Sequence, residues 1–340
     1  MNFAKSLLVA ALALGALAFA DDAFTLKGNV QAQATKSIED DDNNLSSLWF
    51  RANIGGSYSS ENLDGLVMLR IFAPSFGNTI DGTEYDKILA DLYWINYKWA
   101  LGKNDQLNLK IGHWKTDWSQ STHFGTYIDK DLTKRGMWMR DQAHDALELG
   151  WKHGLSQLNV MVATGDAEFN TGYVRVEESM KFTFPFEMTV AYRTNAIDVI
   201  QNTSYLTHRV AARASYSIVP NLRIYGEFAC LYTYDDSDVD ETAGNYVNTQ
   251  ESYLEPGETI VPFYVGIEIP TGGILDHLMF ELEYIDDRDE LSSKQPHADD
   301  LAWTFAISRK FGRSNLQFSV YSEEELNDVG LAFRLTTTIK

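Results

Sequence analysis

The residues most able to act on a solute are arginines and lysines that recur at alternate positions. Only six glutamates share their parity: Glu148, Glu177, Glu227, Glu268, Glu281 and Glu283. If this parity faces water inside a low-dielectric wall, its field favours the passage of anions. Pairing with glutamate across strands is the simpler interpretation, but it leaves cations in excess. The fourteen basic residues are Lys27, Arg51, Arg70, Lys98, Lys110, Lys152, Arg175, Lys181, Arg193, Arg209, Arg213, Arg223, Lys310 and Arg334.

Covalent catalysis has no local signature in this chain. No nucleophile elbow, phosphate loop, Cys-Xaa-Xaa-Cys or His-Glu-Xaa-Xaa-His motif occurs. The seven histidines are scattered, and His113, His123 and His144 are the closest to one another. Cys230 is the only cysteine, so an internal disulfide is impossible. The sequence predicts neither an enzyme nor a resident metal, although folding could still bring a serine and a histidine together.

The elements that must position the charged residues are predicted β-strands. Apolar and polar side chains alternate with period two, as in Phe24, Leu26 and Val30 against Thr25 and Lys27. This pattern gives a strand one apolar and one wet face. It predicts sixteen strands, at residues 24–35, 47–59, 63–73, 86–101, 105–115, 143–153, 155–164, 172–183, 186–195, 206–218, 221–234, 259–270, 276–286, 300–311, 314–322 and 327–338.

The connections between these strands alternate in length. Tight turns such as Gly102-Lys103-Asn104 follow the even-numbered strands, and longer polar loops follow most odd-numbered ones. No linker divides the chain. At the amino terminus, Lys5, the apolar run Leu7–Phe19 and the triplet Ala18-Phe19-Ala20 predict a signal peptide cleaved after residue 20. The predicted organisation is a signal peptide at 1–20 followed by one all-β unit at 21–340.

Aromatic side chains of apolar parity lie near the short turns, where Tyr and Trp favour a membrane interface. Singly, each would fit the core of a secreted β-sandwich or carbohydrate-binding domain, which is the rival fold. Their shared position near the short turns favours a membrane barrel in which they form a girdle at the periplasmic interface. The residues are Tyr58, Tyr97, Trp99, Trp151, Phe182, Phe184, Tyr216, Phe311 and Phe333.

On these features the chain resembles Gram-negative outer-membrane porins over its whole mature length. The resemblance implies an antiparallel transmembrane barrel, short periplasmic turns, long external loops and a homotrimer. It also implies that loop 116–142 folds into the lumen, where its charges face a basic cluster that Arg51, Arg70, Lys98 and Lys110 could form. Asp129, Asp131 and Asp141 are the candidate opposing acids, and Lys134, Arg135 and Arg140 add positive charge to the loop. The chain departs from such porins by ending in Lys340 rather than in an aromatic residue.

The predicted function is a water-filled outer-membrane channel for small hydrophilic solutes and ions that favours anions. A sugar- or phosphate-selective channel remains an alternative, because Trp94, Tyr225, Tyr264, Phe72 and Tyr321 have lumenal parity and could stack on sugars. The net charge of −20 belongs chiefly to loop runs such as Glu39–Asp42 and Glu323–Glu325. These loops could simply aid solubility, or they could bind divalent cations that bridge to lipopolysaccharide.

Overall fold

The structure is a computed structural model of the 340-residue chain. It describes residues 24–38, 47–74, 88–116, 141–164, 172–196, 206–219, 222–233, 259–271, 273–284, 301–322 and 329–339. The predicted signal peptide lies outside the described residues, and so does most of the loop predicted to enter the lumen. No helix in the described ranges is long and apolar enough to cross a membrane.

The described chain forms sixteen antiparallel strands, as the alternation predicts. The twelfth, β12, is in two pieces because proline at 262 has no amide hydrogen to donate to the ladder. Its carbonyl still accepts a hydrogen bond from the Ala229 amide. The strands are β1 Phe24–Ser37, β2 Ser47–Ser59, β3 Leu63–Pro74, β4 Ile88–Ala100, β5 Asp105–Thr116, β6 Asp141–His153, β7 Ser156–Thr164, β8 Gly172–Lys181, β9 Phe186–Thr194, β10 Thr207–Val219, β11 Leu222–Thr233, β12 Thr259–Ile260 with Phe263–Pro270, β13 His277–Tyr284, β14 Leu301–Phe311, β15 Ser314–Ser322 and β16 Val329–Ile339.

The sheet closes on itself. Each strand pairs with its neighbours in sequence, and β1 also pairs with β16 from Gly28↔Ile339 to Ser37↔Gly330. Closure leaves no strand with a free edge, which is the condition for strands to span a bilayer. The predicted fold class, a closed antiparallel barrel of sixteen strands, is confirmed.

The distribution of burial is the reverse of that in a soluble domain. Large apolar side chains such as Ile95, Ile111 and Leu147 are about half exposed on the outer face. Polar and charged side chains of the opposite parity, including Gln33 and Glu281, are buried on the inner face. An apolar exterior around a polar interior is typical of transmembrane barrels.

Aromatic side chains form bands at both ends of the outer face. Trp99, Trp151, Phe184 and Phe311 are exposed beside short turns, as predicted. Phe333 instead lies near the middle of β16, where it pairs with Ala34 and Phe318. The sequence interpretation missed the band at the long-loop end, which contains Tyr192, Tyr232, Phe263, Tyr284 and Trp303.

Two tyrosine rings lie flat on the inner wall over glycines of the adjacent strand. A Cβ atom added at Gly266 would come within 2.4 Å of the Tyr225 ring, and one at Gly330 within 2.5 Å of the Tyr321 ring. In each case the tyrosine and the glycine are direct cross-strand partners, Tyr225 with Gly266 and Tyr321 with Gly330. Glycine therefore lets the wall carry a large ring without pushing the strands apart.

The variant Gly266→Ala should lower barrel stability. Tyr225 is buried and hydrogen-bonded, so its ring cannot move aside without losing that bond, and overpacking typically costs about 1–3 kcal/mol. The heat-dependent shift in gel mobility should move to a lower temperature. Gly65→Ala is the control, since its new Cβ would meet only ordinary contacts, the nearest at 3.6 Å. Equal midpoints for the two variants would contradict the packing argument.

Candidate functional site on the inner wall

The structure places most of the predicted site residues on the inner wall. Arg51, Arg70, Lys98 and Lys110 lie on strands β2 to β5, and Arg175, Arg193, Arg209, Arg213 and Arg223 lie on β8 to β11. Asp129, Asp131, Lys134, Arg135 and Arg140 lie outside the described residues. Asp141 begins β6, but its side chain is likewise outside the description. The opposition of this loop to the basic cluster therefore stays a prediction.

Two cations of the early strands are paired with acids that the parity count omitted. Arg70 lies 2.6 Å from Asp91, which is also 3.4 Å from the Lys115 amine. Lys98 lies 2.9 Å from Asp64 and donates to the Ser60 carbonyl. A register shift between β3 and β4 leaves Asp91 outside the regular pairing, so simple alternation could not assign it to a face.

Lys110 is held between two tryptophans rather than by a short ion pair. Its amine lies 4.7 Å from the centre of the Trp94 ring and 4.2 Å from that of Trp114. Trp114 packs in turn against Met161 and Tyr173 in a buried cluster. A desolvated cation over an aromatic face gains about 2 kcal/mol, so this contact orients the amine on the wall.

Three arginines form a row across β8, β9 and β10. Arg175 pairs directly with Arg193, and Arg193 pairs directly with Arg209. None is more than 3% exposed. Like charges in directly opposite positions repel, and two contacts offset this repulsion. Arg175 lies 2.5 Å from Glu177, and the Arg193 guanidinium stacks 4.1 Å from the centre of the Tyr173 ring.

The next strands carry the opposite charge. The Glu281 carboxylate accepts hydrogen bonds from the Tyr225 hydroxyl at 2.7 Å and from the Tyr264 hydroxyl at 3.3 Å. Glu227 and Glu283 lie on either side of Tyr264 in the cross-strand register. The inner wall thus changes from a basic row on β8 to β10 to an acidic and phenolic sector on β11 to β13.

The lumenal aromatics proposed as a sugar track fall into separate groups. Trp94 belongs to the Lys110 cluster, whereas Tyr225 and Tyr264 contact each other with ring centres 5.8 Å apart. Tyr321 covers Gly330 on β16. The side chain of Phe72 is not among those described. The described residues therefore show three separate aromatic positions rather than one continuous track.

A glutamine–arginine network crosses the closure of the barrel. The Arg334 guanidinium donates two hydrogen bonds, of 2.9 and 2.7 Å, to the side-chain oxygen of Gln33. Arg51 donates one of 2.6 Å to Gln31. The glutamines were not predicted as functional residues. Their alternation on the polar parity of β1, beside two predicted pore cations, was the available signal.

Of the three histidines that lie closest to one another in sequence, only His113 has a described side chain. His113 pairs with Asp145 at 3.1 Å and stacks on Tyr93, whose hydroxyl also donates to Asp145. These residues have the parity of the exposed Ile95, Ile111 and Leu147, so they lie on the outer face, outside the lumen. His123 lies outside the described ranges. In those ranges, no group of three or more His, Cys, Asp or Glu could hold a metal ion.

The inner wall is closer to neutral than the parity count of fourteen cations and six glutamates indicated. Asp64, Asp91 and Glu187 add to the six glutamates, and Glu187 lies 3.5 Å from Lys181. Arg223 lies 3.7 Å from Glu268, which also contacts His277. Cations remain in excess on the described wall, but a third or more of those predicted are engaged by neighbouring acids.

Solved porin structures share this fold at low sequence identity. A double mutant of the Rh. blastica porin superposes with a TM-score of 0.57 at 12% identity, over 93% of this chain and 100% of that chain. A second mutant of that porin gives 0.55 at 11% identity over the same shares. A structure from work on asymmetric conductivity of engineered proteins gives 0.54 at 12%. No family model matches the sequence, and no curated protein matches it. The chain therefore has the fold of a sixteen-stranded porin.

The tyrosine–glutamate hydrogen bonds allow a paired test of the acidic sector. Tyr225→Phe should lower stability by about 1–3 kcal/mol, because it removes the 2.7 Å donor from a buried carboxyl group. Tyr264→Phe should cost less, since its bond measures 3.3 Å. Unfolding midpoints in detergent, measured by gel mobility and tryptophan fluorescence, would rank the two. The reverse order would show that Glu281 depends chiefly on Tyr264.

Proposed function

We propose that this protein is an outer-membrane channel through which small hydrophilic solutes and ions diffuse passively. One observation carries the proposal: the closed barrel exposes apolar side chains outside and lines its interior with charged and hydrogen-bonded groups. That arrangement suits lipid on one side and water on the other. The structural relatives favour a channel over an enzyme. The proposal includes an orientation, in which the short turns, the start of β1 and the end of β16 lie on the periplasmic side. The signal peptide has then been removed.

We infer that the loop at residues 116–142 narrows the channel. A barrel of sixteen strands is wide enough to leave an aqueous lumen. Inner-wall residues such as Glu281 are covered by neighbouring wall side chains, here Tyr225 and Tyr264. The support for a constriction is therefore the length and the composition of the loop. The loop is the longest of those predicted between strands, and its Trp118 and Trp138 would be unusual in solvent.

Shortening this loop tests the inference. Deletion of residues 121–136 should raise single-channel conductance in planar bilayers, because a constriction dominates the resistance of a pore. A deletion of similar length in the other long loop, residues 238–253, is the matched control and should leave conductance nearly unchanged. The proposal fails for loop 116–142 if only the control deletion widens the channel.

The channel should favour anions. The support is the excess of inner-wall cations and the row of three arginines, whose field acts on water inside a low-dielectric wall. The ion pairs with Asp64, Asp91 and Glu177 weaken this field but do not remove the excess.

Reversal potentials in a salt gradient measure this preference. Wild type should be anion-selective, and Arg193→Gln with Arg209→Gln should lower the ratio of anion to cation permeability. Arg309→Gln is the control, because Arg309 lies on the outer parity and contacts the Gly273 carbonyl. Cation selectivity of the wild type would contradict the proposal. So would an equal change in the permeability ratio in Arg309→Gln and in the double variant.

The oligomeric state and the partners of the channel are part of the same proposal. We propose a homotrimer in contact with lipid and lipopolysaccharide, with divalent cations at the acidic loops such as Glu39–Asp42. Light scattering of the detergent-solubilised protein gives the number of chains. Loss of lipopolysaccharide from the purified protein on chelation of divalent cations would support the bridging role.

A further inference from the structure

One tripeptide, Gln-Leu-Asn, occurs twice in the chain, at residues 106–108 and 157–159. In both places it occupies the second to fourth positions of a strand, β5 or β7, directly after a short turn. Both leucines pair with the exposed Trp151 of β6 on the outer face. The glutamines and asparagines alternate with them and therefore face the lumen. We call these four side chains the amide square: Gln106, Asn108, Gln157 and Asn159.

A glycine of β6 separates the two asparagines of the amide square. In the cross-strand register Gly150 lies between Asn108 and Asn159, and Lys152 lies between the two glutamines. A Cβ atom added at Gly150 would lie 2.8 Å from the Asn159 Oδ1 and 3.4 Å from the Asn108 Nδ2. The two amides therefore lean from opposite sides toward one point above the glycine, one with an acceptor and the other with a donor.

A hydrogen bond within each tripeptide sets these roles. The Gln106 Nε2 donates to the Asn108 Oδ1, so the Nδ2 of that asparagine is the group directed at Gly150. The Gln157 Nε2 donates to the Asn159 Oδ1 at 3.1 Å, and an amide oxygen has a second lone pair with which to accept. All four side chains of the amide square are partly exposed, so a solute in the lumen can reach them.

A hydroxyl group matches the point above Gly150, because it can accept one hydrogen bond and donate another. An anion could accept from one asparagine but could not donate to the other, and an ammonium group could donate but not accept. The charged residues at either end of this row are paired. Lys98, beside Asn108, lies 2.9 Å from Asp64. Glu177, beside Asn159, lies 2.5 Å from an arginine. The local chemistry therefore favours a neutral hydroxyl over an ion.

We propose that the amide square is a binding subsite for a neutral polyhydroxylated solute, such as a small saccharide, with one hydroxyl above Gly150. The side-chain oxygens of the two glutamines can accept hydrogen bonds from further hydroxyls of the same solute. The subsite rests on the proposed channel function, since the solute reaches it through the lumen. It depends on amides and not on an aromatic track. A weak site of this kind holds a solute in the lumen long enough to obstruct ions, yet still releases it.

Bilayer recordings of the full chain in potassium chloride detect the subsite when sucrose is added to both sides. Sucrose should lower the conductance by more than it lowers the conductivity of the bulk solution, because a bound solute obstructs the ions. This additional block should saturate with sucrose concentration. Polyethylene glycol of similar hydrodynamic size is the control solute, since its ether oxygens accept hydrogen bonds but do not donate them. Its effect should show no saturation.

The variant Asn108→Asp tests the donor. It keeps the oxygen that accepts from Gln106 but replaces Nδ2 by a second acceptor, so a hydroxyl loses one of its two bonds. The half-blocking sucrose concentration should rise about tenfold, the factor that corresponds to about 1.4 kcal/mol. Asn29→Asp is the matched control. It makes the same charge change on the inner face of β1 and keeps the bond of 2.9 Å that Asn29 accepts from Asn53. Its sucrose block should equal that of the wild type.

A second variant, Gly150→Ala, fills the point without changing any charge. The atom nearest to the new methyl group is the end of the flexible Asn159 side chain, which can shift, so the barrel should still form. The half-blocking sucrose concentration should rise by at least as much as in Asn108→Asp. The conductance in potassium chloride alone and the reversal potential in a salt gradient should stay at their wild-type values, which shows that the variant is folded and inserted.

The outcomes separate the subsite from the channel. Saturating sucrose block in the wild type and in Asn29→Asp, weakened in Asn108→Asp and in Gly150→Ala, would support the subsite. Sucrose block no greater than the bulk effect would overturn it, because the point above Gly150 would then hold only water. Equal weakening in the two aspartate variants would overturn it as an effect of lumen charge, and an unchanged block in Gly150→Ala would overturn the position assigned to the hydroxyl. Absence of any conductance from the folded wild type would instead overturn the proposed function.

Discussion

The pairing of β1 with β16 is the interaction on which the rest of the structure depends. Sixteen antiparallel strands with an open seam would expose two rows of backbone amides and carbonyls, and each unpaired group costs several kcal/mol in hydrocarbon. The ladder from Gly28↔Ile339 to Ser37↔Gly330 removes both rows. On the inner face of the seam, the bonds from Arg334 to Gln33 add a side-chain tie between the first and the last strand.

Closure also determines what the side chains of each parity can be. Once the sheet is a cylinder, alternate residues face either outward or inward along every strand. Exposed apolar residues such as Ile95 and Leu147 are then stabilising only if lipid surrounds them. Charged residues such as Arg193 can be kept on the other face because partners surround them there, as the Tyr173 ring does. The same alternation therefore explains the outer apolar surface and the polar lining.

Alternation made most of the fold predictable. It is a local property of the sequence, and it placed β2, β7 and β15 within a residue of their observed bounds. Contacts across strands depend on register, which period two does not specify. The sequence therefore listed Arg175, Arg193 and Arg209 without showing that they form a row. Asp91 was missed for a related reason, because the irregularity between β3 and β4 interrupts the parity rule.

Separation of charge into sectors has a consequence that a count of charges misses. The basic row on β8 to β10 and the acidic sector on β11 to β13 lie side by side on the same cylinder. An ion near the wall interacts most strongly with the nearest groups, because the field of more distant charges is screened within about 8–10 Å. Its path therefore depends on which sector it passes. Net lumen charge sets the average preference between anions and cations, while local groups such as the row of Arg175, Arg193 and Arg209 set the field that an ion meets at each part of the wall.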